Sequence, residues 1–409
     1  MPTPPIRFLA LLMLLIAGCA SRPYATLTPV ARTVPGAQRV DMLVATTRAP
    51  SNVSGVVFGP ERGRGLSLEN IVVSIPPARF REPGDIAYPS PGAPDPARQF
   101  VALKVEPLDP AGAHAWYKSA ARPKRRILIF VHGFNSSYEE AVFRLAQISQ
   151  DSGADAAPIL FTWPSGGSVF DYLYDRDSAN YSRDSLEAVI AGAAASPDVG
   201  EITLMAHSMG GWLAMEAVRQ LAIRQGNLPP KLANIVLAAP DIDLGVFRTQ
   251  LDALGPAQDR ITIFAAQDDQ ALLVSRRLAG GSQRLGSIDL SRPDLRAEMA
   301  RRGIVVVDIS GIRTGDPLNH TTFAQSPAVV QAIGNRLIAG DGLSDGRLGL
   351  ADAINATVVG TTQGLGSAVG AAIELPGALV SGDSRQRLGS KLGRAGRSLG
   401  GSLQTAIGR

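Results

Sequence analysis

The amino-acid sequence predicts an α/β protein in which a mostly parallel β-sheet carries helices on both faces. Between about residues 123 and 340, short apolar runs typical of buried strands alternate with patterns typical of helices, as a parallel sheet requires. One of these strands ends at Ser208 and is followed directly by a helical pattern. The chain has 409 residues, so it can bury a substantial core and hold more than one structural unit.

The N-terminus has the features of a bacterial secretion signal. Arg7 precedes an apolar run over residues 8–17, and Cys19 follows small residues. A run of about ten residues is too short to span a bilayer. Because the pattern resembles a lipobox, we predict a lipoprotein signal peptide at residues 1–18 and lipidation of Cys19 with acyl chains such as palmitate. Residues 19–39 would form a polar tether, and a plain cleaved signal is the alternative.

Cys19 and its neighbour also predict where the protein resides. Cys19 is the only cysteine of the chain, so it has no partner for an intramolecular disulfide. Ala20 follows it in place of an acidic residue. This sorting pattern predicts a lipid-anchored protein of the bacterial envelope, at the outer membrane and facing the periplasm. The net charge of +4 comes largely from the C-terminal end, so we predict no nucleic-acid partner.

Residues 40–122 are predicted to form a β-rich extension ahead of the main sheet. Apolar runs lie at residues 42–45, 71–75 and 100–105, separated by glycine and proline. Their strands would either lengthen the main sheet or pack on its edge, and the pattern leaves both arrangements open. The catalytic domain would then occupy residues 123–340.

The segment 202–211 predicts a nucleophile elbow, the sharp turn between a strand and a helix that serine hydrolases use to expose their serine. Bulky side chains two positions either side of the serine would clash at such a turn. Ala206 and Gly210 occupy those positions around Ser208. Glycine is usual at both, and the single methyl group of Ala206 is a small departure. The alternative is an ordinary turn at the start of a helix.

The general base can be sought among four histidines, at positions 114, 132, 207 and 320. In folds that use this elbow, the chain order is serine, acid, histidine, with the histidine in a loop after the last strand. His320 follows an apolar run at residues 304–309 and fits that order. His207 adjoins Ser208, where we expect the turn to point its side chain away. A solvated loop histidine is the alternative for His320.

Two loops offer the carboxylate that would orient His320. Asp268 and Asp269 follow the apolar run at residues 260–265, and Asp241 and Asp243 follow the run at 234–238. We favour Asp269, then Asp268, then Asp241 as the acid. An aspartate that does not serve as the acid could instead cap a helix.

A developing oxyanion would need hydrogen-bond donors, and two backbone groups are suited to that role. One is the N–H of Met209, directly after the serine, and the other is the N–H of Phe134 in the turn after the first core strand. Gly133 would permit this tight turn, and Asn135 could cap the next helix. An ordinary strand-to-helix turn is the alternative.

Several motifs occur together and in a characteristic order. The chain resembles a family of bacterial alpha/beta hydrolases that has long been catalogued as of unknown function and is described as esterase-like or lipase-like. The resemblance covers roughly residues 40–338 and implies the alpha/beta-hydrolase fold and serine hydrolase chemistry, but no substrate. Its motifs are ATTR at 45–48, VSIP at 73–76, VHGFN at 131–135, FTWPSG at 161–166, YDRD at 174–177, AHSMGG at 206–211, APDID at 239–243 and DQAL at 269–272.

The segment 163–181 lies at the carboxyl end of a predicted strand, the edge at which this fold places its active site. It is rich in aromatic residues, which could wall a substrate pocket or could pack on the core. Its aspartates, at 171, 175 and 177, lack the regular spacing of a calcium loop. We expect a helix near residues 182–195, and we predict neither a metal nor a cofactor.

Residues 341–409 are predicted to form a tail rich in glycine and alanine. From Arg385 onward the tail carries six basic residues and no acidic ones, and apolar residues recur at helical spacing. This pattern favours a basic amphipathic helix at a membrane surface. Frequent glycine disfavours a helix, so a disordered tail is the alternative.

Together these features predict a lipid-anchored serine hydrolase, most simply a carboxylesterase. Ser208, His320 and Asp269 would form the triad, with a small-molecule or lipid ester as substrate. An amidase or acyltransferase with the same triad is one alternative. A catalytically inactive, tethered binding lipoprotein is another.

Overall fold

The structure is a computed structural model that describes residues 22–120 and 125–339. The predicted signal peptide, Cys19 and the predicted tail at 341–409 lie outside the described residues. The strands within the described residues are β1 Gln38–Pro50, β2 Phe58–Ile75, β3 Val101–Leu108, β4 Arg126–Val131, β5 Ala157–Thr162, β6 Glu201–His207, β7 Leu232–Ala238, β8 Ile261–Ala265 and β9 Val305–Asp308. They form one sheet in the order β3-β2-β1-β5-β4-β6-β7-β8-β9.

The greater part of this sheet is parallel. In the sheet order β1-β5-β4-β6-β7-β8-β9, every pair of neighbouring strands is parallel. The central strands β4, β5 and β6 are buried almost throughout, as apolar strands covered on both faces must be. The carboxyl ends of β4, β6 and β8 therefore meet at one edge, where the candidate site lies. This architecture confirms the predicted α/β class.

The N-terminal extension continues the main sheet. Strand β1 pairs in parallel with β5, so Leu43 lies opposite Ile159. Strand β2 pairs antiparallel with β1, and β3 pairs antiparallel with β2. Of the two arrangements that the sequence left open, the strands adopt the first and lengthen the sheet. A helix, Pro110–Ala120, ends the extension, and its Trp116 donates a hydrogen bond from Nε1 to Asp41 at 2.8 Å.

One helix starts earlier than the sequence predicts. It begins at Tyr172, whereas the apolar pattern suggested a start near Ser182. The inner face of its first turns carries buried polar residues, Asp175 and Ser178 among them, so the apolar periodicity that marks a helix is missing there. The helices within the described residues are Pro110–Ala120, Tyr138–Ser152, Tyr172–Ala195, Met209–Gln225, Leu244–Asp252, Gln270–Leu278, Pro293–Arg301, Thr322–Gln325 and Pro327–Ala339.

The described part of the predicted tether packs on the body of the protein. Leu27 is 1% exposed, and the N–H of Val30 donates to the carbonyl of Ala102 at 2.9 Å. The side chain of Arg22 donates to the carbonyl of Gly167. From Arg22 onward this segment is therefore part of the folded structure, in contrast to our interpretation of residues 19–39 as a free tether. Within residues 22–120 and 125–339, no helix is long and apolar enough to cross a bilayer.

Candidate active site

Ser208 occupies a strained turn between β6 and the helix Met209–Gln225. Its backbone has φ 53° and ψ −123°, a conformation that L-residues rarely adopt and that persists only where the surroundings hold it. The N–H of Ser208 donates to the carbonyl of Ala238 at 3.0 Å, and its own carbonyl accepts from Gly211 and Asp241 at 2.9 and 3.1 Å. This geometry is that of a nucleophile elbow.

Close packing against β4 explains the small residues around the elbow. A Cβ atom on Gly210 would lie 2.2 Å from the carbonyl oxygen of His132, which is backbone and cannot move aside. A Cβ atom on Gly133 would lie 2.9 Å from the Cβ of Ser208. Ala206 is fully buried, so its methyl group fits where the sequence motif usually has glycine. The loop after β4 is therefore pressed directly onto the serine.

His320 and Asp269 are joined by a short hydrogen bond. The Nδ1 atom of His320 lies 2.6 Å from Oδ2 of Asp269, which is fully buried. Burial alone would lower the pKa of His320, but the charge and the hydrogen bond of Asp269 outweigh burial and raise that pKa above 6.5. Since Nδ1 is occupied by the carboxylate, the other ring nitrogen, Nε2, is left for a substrate-side proton.

Asp269 also begins the helix Gln270–Leu278. Its Oδ1 accepts a hydrogen bond from the N–H of Leu272 at 3.0 Å, the arrangement of a helix N-cap. One carboxylate therefore caps a helix with one oxygen and holds His320 with the other. The sequence treated these two roles as alternatives, and the structure combines them.

The other candidate acids have different partners. Asp268 accepts from the N–H of Gly311 at 3.1 Å. Asp241 accepts from the hydroxyl of Ser275 at 2.6 Å and pairs with Arg284 at 3.2 Å. Of the three predicted acids, the structure brings Asp269 to the imidazole.

The loop that carries His320, residues 316–321, is held by its own aspartate, and we refer to it as the histidine loop. Oδ2 of Asp316 accepts from the N–H groups of His320 and Thr321, each at 2.7 Å. Burial alone would raise the pKa of Asp316, but the donors from Leu318, Thr321 and His320 outweigh burial and lower it. Sequence reasoning did not single out Asp316. The Asp-Pro pair at 316–317 was the available signal, because such pairs favour turns.

His207 packs against the histidine loop and donates a hydrogen bond to it. Its Nε2 donates to the carbonyl of His320 at 3.2 Å, and its ring centroid lies 4.7 Å from that of His320 and 4.6 Å from that of Phe323. Burial, aided by the charge of His320, lowers the pKa of His207 well below 6.5. His207 is therefore neutral at physiological pH and packs against the histidine loop, a contact that its position beside the serine did not reveal.

The two predicted oxyanion donors belong to segments that adjoin the serine. Met209 is the first residue of its helix, so its N–H has no acceptor within that helix. Phe134 belongs to the loop at residues 133–137, which we call the β4 loop, and its ring packs at 5.5 Å on Tyr172. Because a Cβ atom on Gly133 would lie 2.9 Å from the Cβ of Ser208, the β4 loop lies beside the serine, as an oxyanion hole would require.

Asn135 does not cap the helix that follows, although the sequence indicated that it could. The helix Tyr138–Ser152 is capped by Ser137, whose hydroxyl accepts from the N–H of Glu140 while the Glu140 carboxylate accepts from the N–H of Ser137. This reciprocal capping box starts the helix two residues later than an Asn135 cap would. Asn135 instead adopts a left-handed conformation with φ 59° within the β4 loop.

A buried carboxylate anchors the β4 loop. Asp175 accepts from the N–H of Asn135 at 3.2 Å, from the N–H of Gly166 at 2.7 Å and from the hydroxyl of Ser165. Ser165 in turn accepts from the N–H of Ser136 at 3.1 Å. Burial raises the pKa of Asp175, while these hydrogen bonds oppose the shift. The helix Tyr172–Ala195 thus fixes, through Asp175, the loop that carries Phe134.

A buried arginine from the extension completes this network. Arg48, at the end of β1, is 2% exposed. Its Nη2 donates to the carbonyl of Ser136 at 2.8 Å, and Nη1 donates to that of Ser165 at 3.1 Å. Burial lowers the pKa of Arg48 to about 10, so the guanidinium remains charged at neutral pH. Arg48 and Asp175 both belong to motifs of the family resemblance, but neither was assigned a role from the sequence.

The aromatic segment after β5 packs partly on the core, one of the two arrangements that the sequence left open. Trp163 is fully buried and stacks on His132 at 5.0 Å, with its Nε1 donating to the His132 carbonyl. Tyr172 instead lines a small cavity of about 40 Å³ next to Met209. Among the described residues, no cluster of His, Cys, Asp and Glu could hold a metal ion.

Comparison with solved structures found similar chains of low identity. An esterase from Pyrobaculum calidifontis is 14% identical, with 81% of this chain and 90% of that chain covered and a TM-score of 0.30. The siderophore hydrolase EstB from Aspergillus nidulans is 12% identical, with 77% and 99% covered and a TM-score of 0.35. Est1E from Butyrivibrio proteoclasticus is 14% identical, with 53% and 90% covered and a TM-score of 0.32.

Comparison with curated proteins found no match. Comparison with family models identified alpha/beta hydrolases of unknown function (DUF900), whose model matches residues 110–336, more than half of the chain. The matched region contains Ser208, Asp269 and His320. The chain therefore belongs to this family of alpha/beta hydrolases.

Proposed function

We propose that the protein is a serine hydrolase, specifically a carboxylesterase, with Ser208 as nucleophile, His320 as general base and Asp269 as the orienting acid. The observation that carries the proposal is the 2.6 Å hydrogen bond between His320 Nδ1 and Asp269, in a family member whose serine has the backbone of a nucleophile elbow. A buried carboxylate on Nδ1 selects the tautomer whose Nε2 can accept a proton from serine.

The reaction would proceed through an acyl-enzyme. Ser208 Oγ attacks the acyl carbonyl while His320 Nε2 takes the hydroxyl proton, and Asp269 stabilises the imidazolium. The backbone N–H groups of Phe134 and Met209 donate to the tetrahedral oxyanion. The imidazolium then protonates the leaving alcohol, and a water molecule hydrolyses the acyl-enzyme by the same steps.

Labelling with a fluorophosphonate probe tests the nucleophile and the base. We expect the full-length protein to be labelled and both variants to lose labelling, since Ser208→Ala removes the hydroxyl and His320→Ala removes the base that activates it. His114→Ala is a matched control, because His114 is exposed on the helix Pro110–Ala120. A folded wild-type protein that is not labelled would contradict the proposal and favour an inactive binding protein.

Matched substrates test the ester preference. For one acyl group presented as an ester and as an amide, we expect turnover of the ester alone. Turnover of the amide would reassign the protein as an amidase. Transfer to an added alcohol in preference to water would reassign it as an acyltransferase.

We further propose that Cys19 is lipidated and anchors the protein to the outer membrane, facing the periplasm. The proposal is supported by the apolar run and small residues before the only cysteine and by Ala20 after it. Mass spectrometry of the mature N-terminus should find acyl chains on Cys19, and Cys19→Ser should release the protein from the membrane fraction. An unmodified N-terminus at another residue would contradict this proposal.

A further inference from the structure

The described part of the chain begins three residues after the proposed lipid anchor. Arg22 is fixed in place, because its guanidinium donates to the carbonyl of Gly167 and lies 3.7 Å from a carboxylate oxygen of Glu140. Cys19 precedes Arg22 by three residues. Three residues of fully extended chain span at most about 11 Å. A lipid attached to Cys19 therefore holds the surface around Gly167 close to the bilayer.

Gly167 lies at the rim of the candidate active site. Its neighbour Gly166 donates to Asp175, and Asp175 accepts from the N–H of Asn135 in the β4 loop. Phe134, which directly precedes Asn135 in that loop, carries one proposed oxyanion donor. Arg22, three residues after the proposed anchor, therefore contacts the same chain segment that holds the β4 loop.

The segment that follows Gly167 exposes large apolar side chains. Phe170 is 77% exposed and Leu173 is 74% exposed, although Tyr172 between them turns inward and donates to Asp241. Single exposed apolar residues are ordinary. Here two of them lie three positions apart, and the first, Phe170, lies three positions after Gly167, whose carbonyl Arg22 contacts.

The charges on this surface balance. The guanidinium of Arg62 lies 4.8 Å from the ring centroid of Tyr174, and that of Arg176 lies 5.5 Å from the ring of Trp212. Asp171 and Asp177 lie in the same stretch of chain. Apolar burial, rather than attraction to anionic headgroups, would therefore drive contact with a membrane, and neutral lipid would suffice.

We propose that the surface formed by residues 165–174, which we call the β5 rim, rests on the membrane that holds Cys19 and that the hydrolase takes its ester substrate from this bilayer. The substrate class is then an amphiphilic acyl ester, such as a membrane lipid, in preference to a freely soluble ester. This inference rests on the proposed hydrolase function and on lipidation of Cys19.

A fluorescent label tests membrane contact independently of activity. In a protein whose Cys19 is lipidated, Leu173→Cys provides the one thiol for an environment-sensitive dye. On phosphatidylcholine vesicles we expect blue-shifted, brighter emission from this position. The matched control is Ile223→Cys, which is 59% exposed and lies 14 residues along its helix from the site edge, about 21 Å away. Equal emission from both positions would overturn the proposal.

Substrate turnover tests the consequence for catalysis. The double variant Phe170→Ser/Leu173→Ser, anchored in phosphatidylcholine vesicles, should hydrolyse a long-chain fluorogenic ester in the bilayer at least about tenfold more slowly than the wild type. Its turnover of a short soluble ester should stay within about twofold of the wild type, and Ile223→Ser should behave as wild type toward both substrates. Equal losses on both substrates would overturn the proposal.

Two further outcomes separate the possible failures. If the wild type hydrolyses neither ester while the dye at residue 173 still reports lipid contact, the proposed function fails and the membrane contact stands. If the double variant converts a dimer to a monomer in sedimentation without altering the bilayer rate, the β5 rim is a contact between copies of the chain, and the proposal is overturned.

Discussion

The histidine loop and the β4 loop both border the candidate site and are held in different ways. Asp316 fixes the histidine loop through backbone groups two, four and five positions further along the chain. The β4 loop is fixed by Ser165, Asp175 and Arg48, which are 29, 40 and 88 positions from their partners. The first loop is thus shaped by local sequence, whereas the second depends on the assembled sheet.

This difference predicts how the two loops respond to substitution. A change near His320 should alter the titration of the base and leave the β4 loop in place. A change at Asp175 or Arg48 should displace an oxyanion donor and leave the titration of the base in place. The following substitutions test whether the loops are separable in this way.

Substitution of the acid should have the largest effect. Asp269→Asn should lower kcat about 10⁴-fold, because an amide neither selects the required tautomer nor stabilises the imidazolium. The measurement is steady-state hydrolysis of a soluble ester. Asp268→Asn is the matched control and should retain near wild-type activity. Equal losses from the two variants would show that His320 does not rely on Asp269.

Removal of the buried guanidinium should mainly affect stability. Arg48→Met should lower the free energy of unfolding by about 3–5 kcal/mol, because it leaves the buried Asp175 without its cation and buried carbonyls without donors. Urea unfolding of the full-length protein measures the loss. Arg64→Met, exposed on β2, should cost little. A loss under about 1 kcal/mol for Arg48→Met would mean that the β4 loop is held without it.

Neutralisation of Asp175 should slow catalysis without altering the base. Asp175→Asn replaces one acceptor oxygen with a donor group, so either Asn135 or Gly166 loses its partner. A displacement of the β4 loop by about 1 Å would lower kcat about 10²-fold. Asp177→Asn, on the exposed face of the same helix, should leave kcat unchanged. A shifted pH profile with unchanged kcat in Asp175→Asn would show that the two loops are not separable in this way.

The pH dependence should show the smallest effect. Because the base must be neutral, kcat/KM should fall as the pH decreases through the His320 pKa, which lies above 6.5. The charge of Asp316 contributes to that raised pKa. Asp316→Asn should therefore move the acidic limb of the kcat/KM profile to lower pH, by less than about one pH unit. Asp175→Asn should leave the limb where it is. Coincident limbs for wild type and Asp316→Asn would contradict this assignment.

The same titration has a consequence for stability. The folded-state pKa of His320 is raised, so protonated His320 stabilises the fold fully below pH 6.5. That contribution is lost as the pH rises through the folded-state pKa. The pH range in which the base is active is therefore the range in which this contribution to stability is absent.

Sequence reasoning nominated candidate-site residues that lie in loops after strands. Ser208, Asp269 and His320 come after β6, β8 and β9, and parallel strands bring their carboxyl ends to one edge. A chain-order rule was thus enough to nominate them. The class of fold followed from the alternation of apolar strands with helices, and the structure confirms it.

The supporting network could not be predicted in the same way. Arg48 and Asp175 are polar residues at buried positions, and nothing in the local pattern shows that a strand end and a helix will meet at Ser136. The mistaken cap at Asn135 has a similar cause, since both Asn135 and Ser137 have capping side chains and tertiary contacts decide between them. Long-range hydrogen bonds of this kind are visible only once the sheet is assembled.

The pairing of β1 with β5 has a consequence for how this chain can be divided. The family match begins at residue 110 and so excludes β1, β2 and β3. A fragment that starts at that point would leave the edge of β5 that pairs with β1 unpaired. Its free N–H and carbonyl groups would promote pairing between molecules and aggregation. The N-terminal hairpin therefore serves as the edge protection of the hydrolase sheet, and the smallest unit that folds cleanly begins upstream of β1.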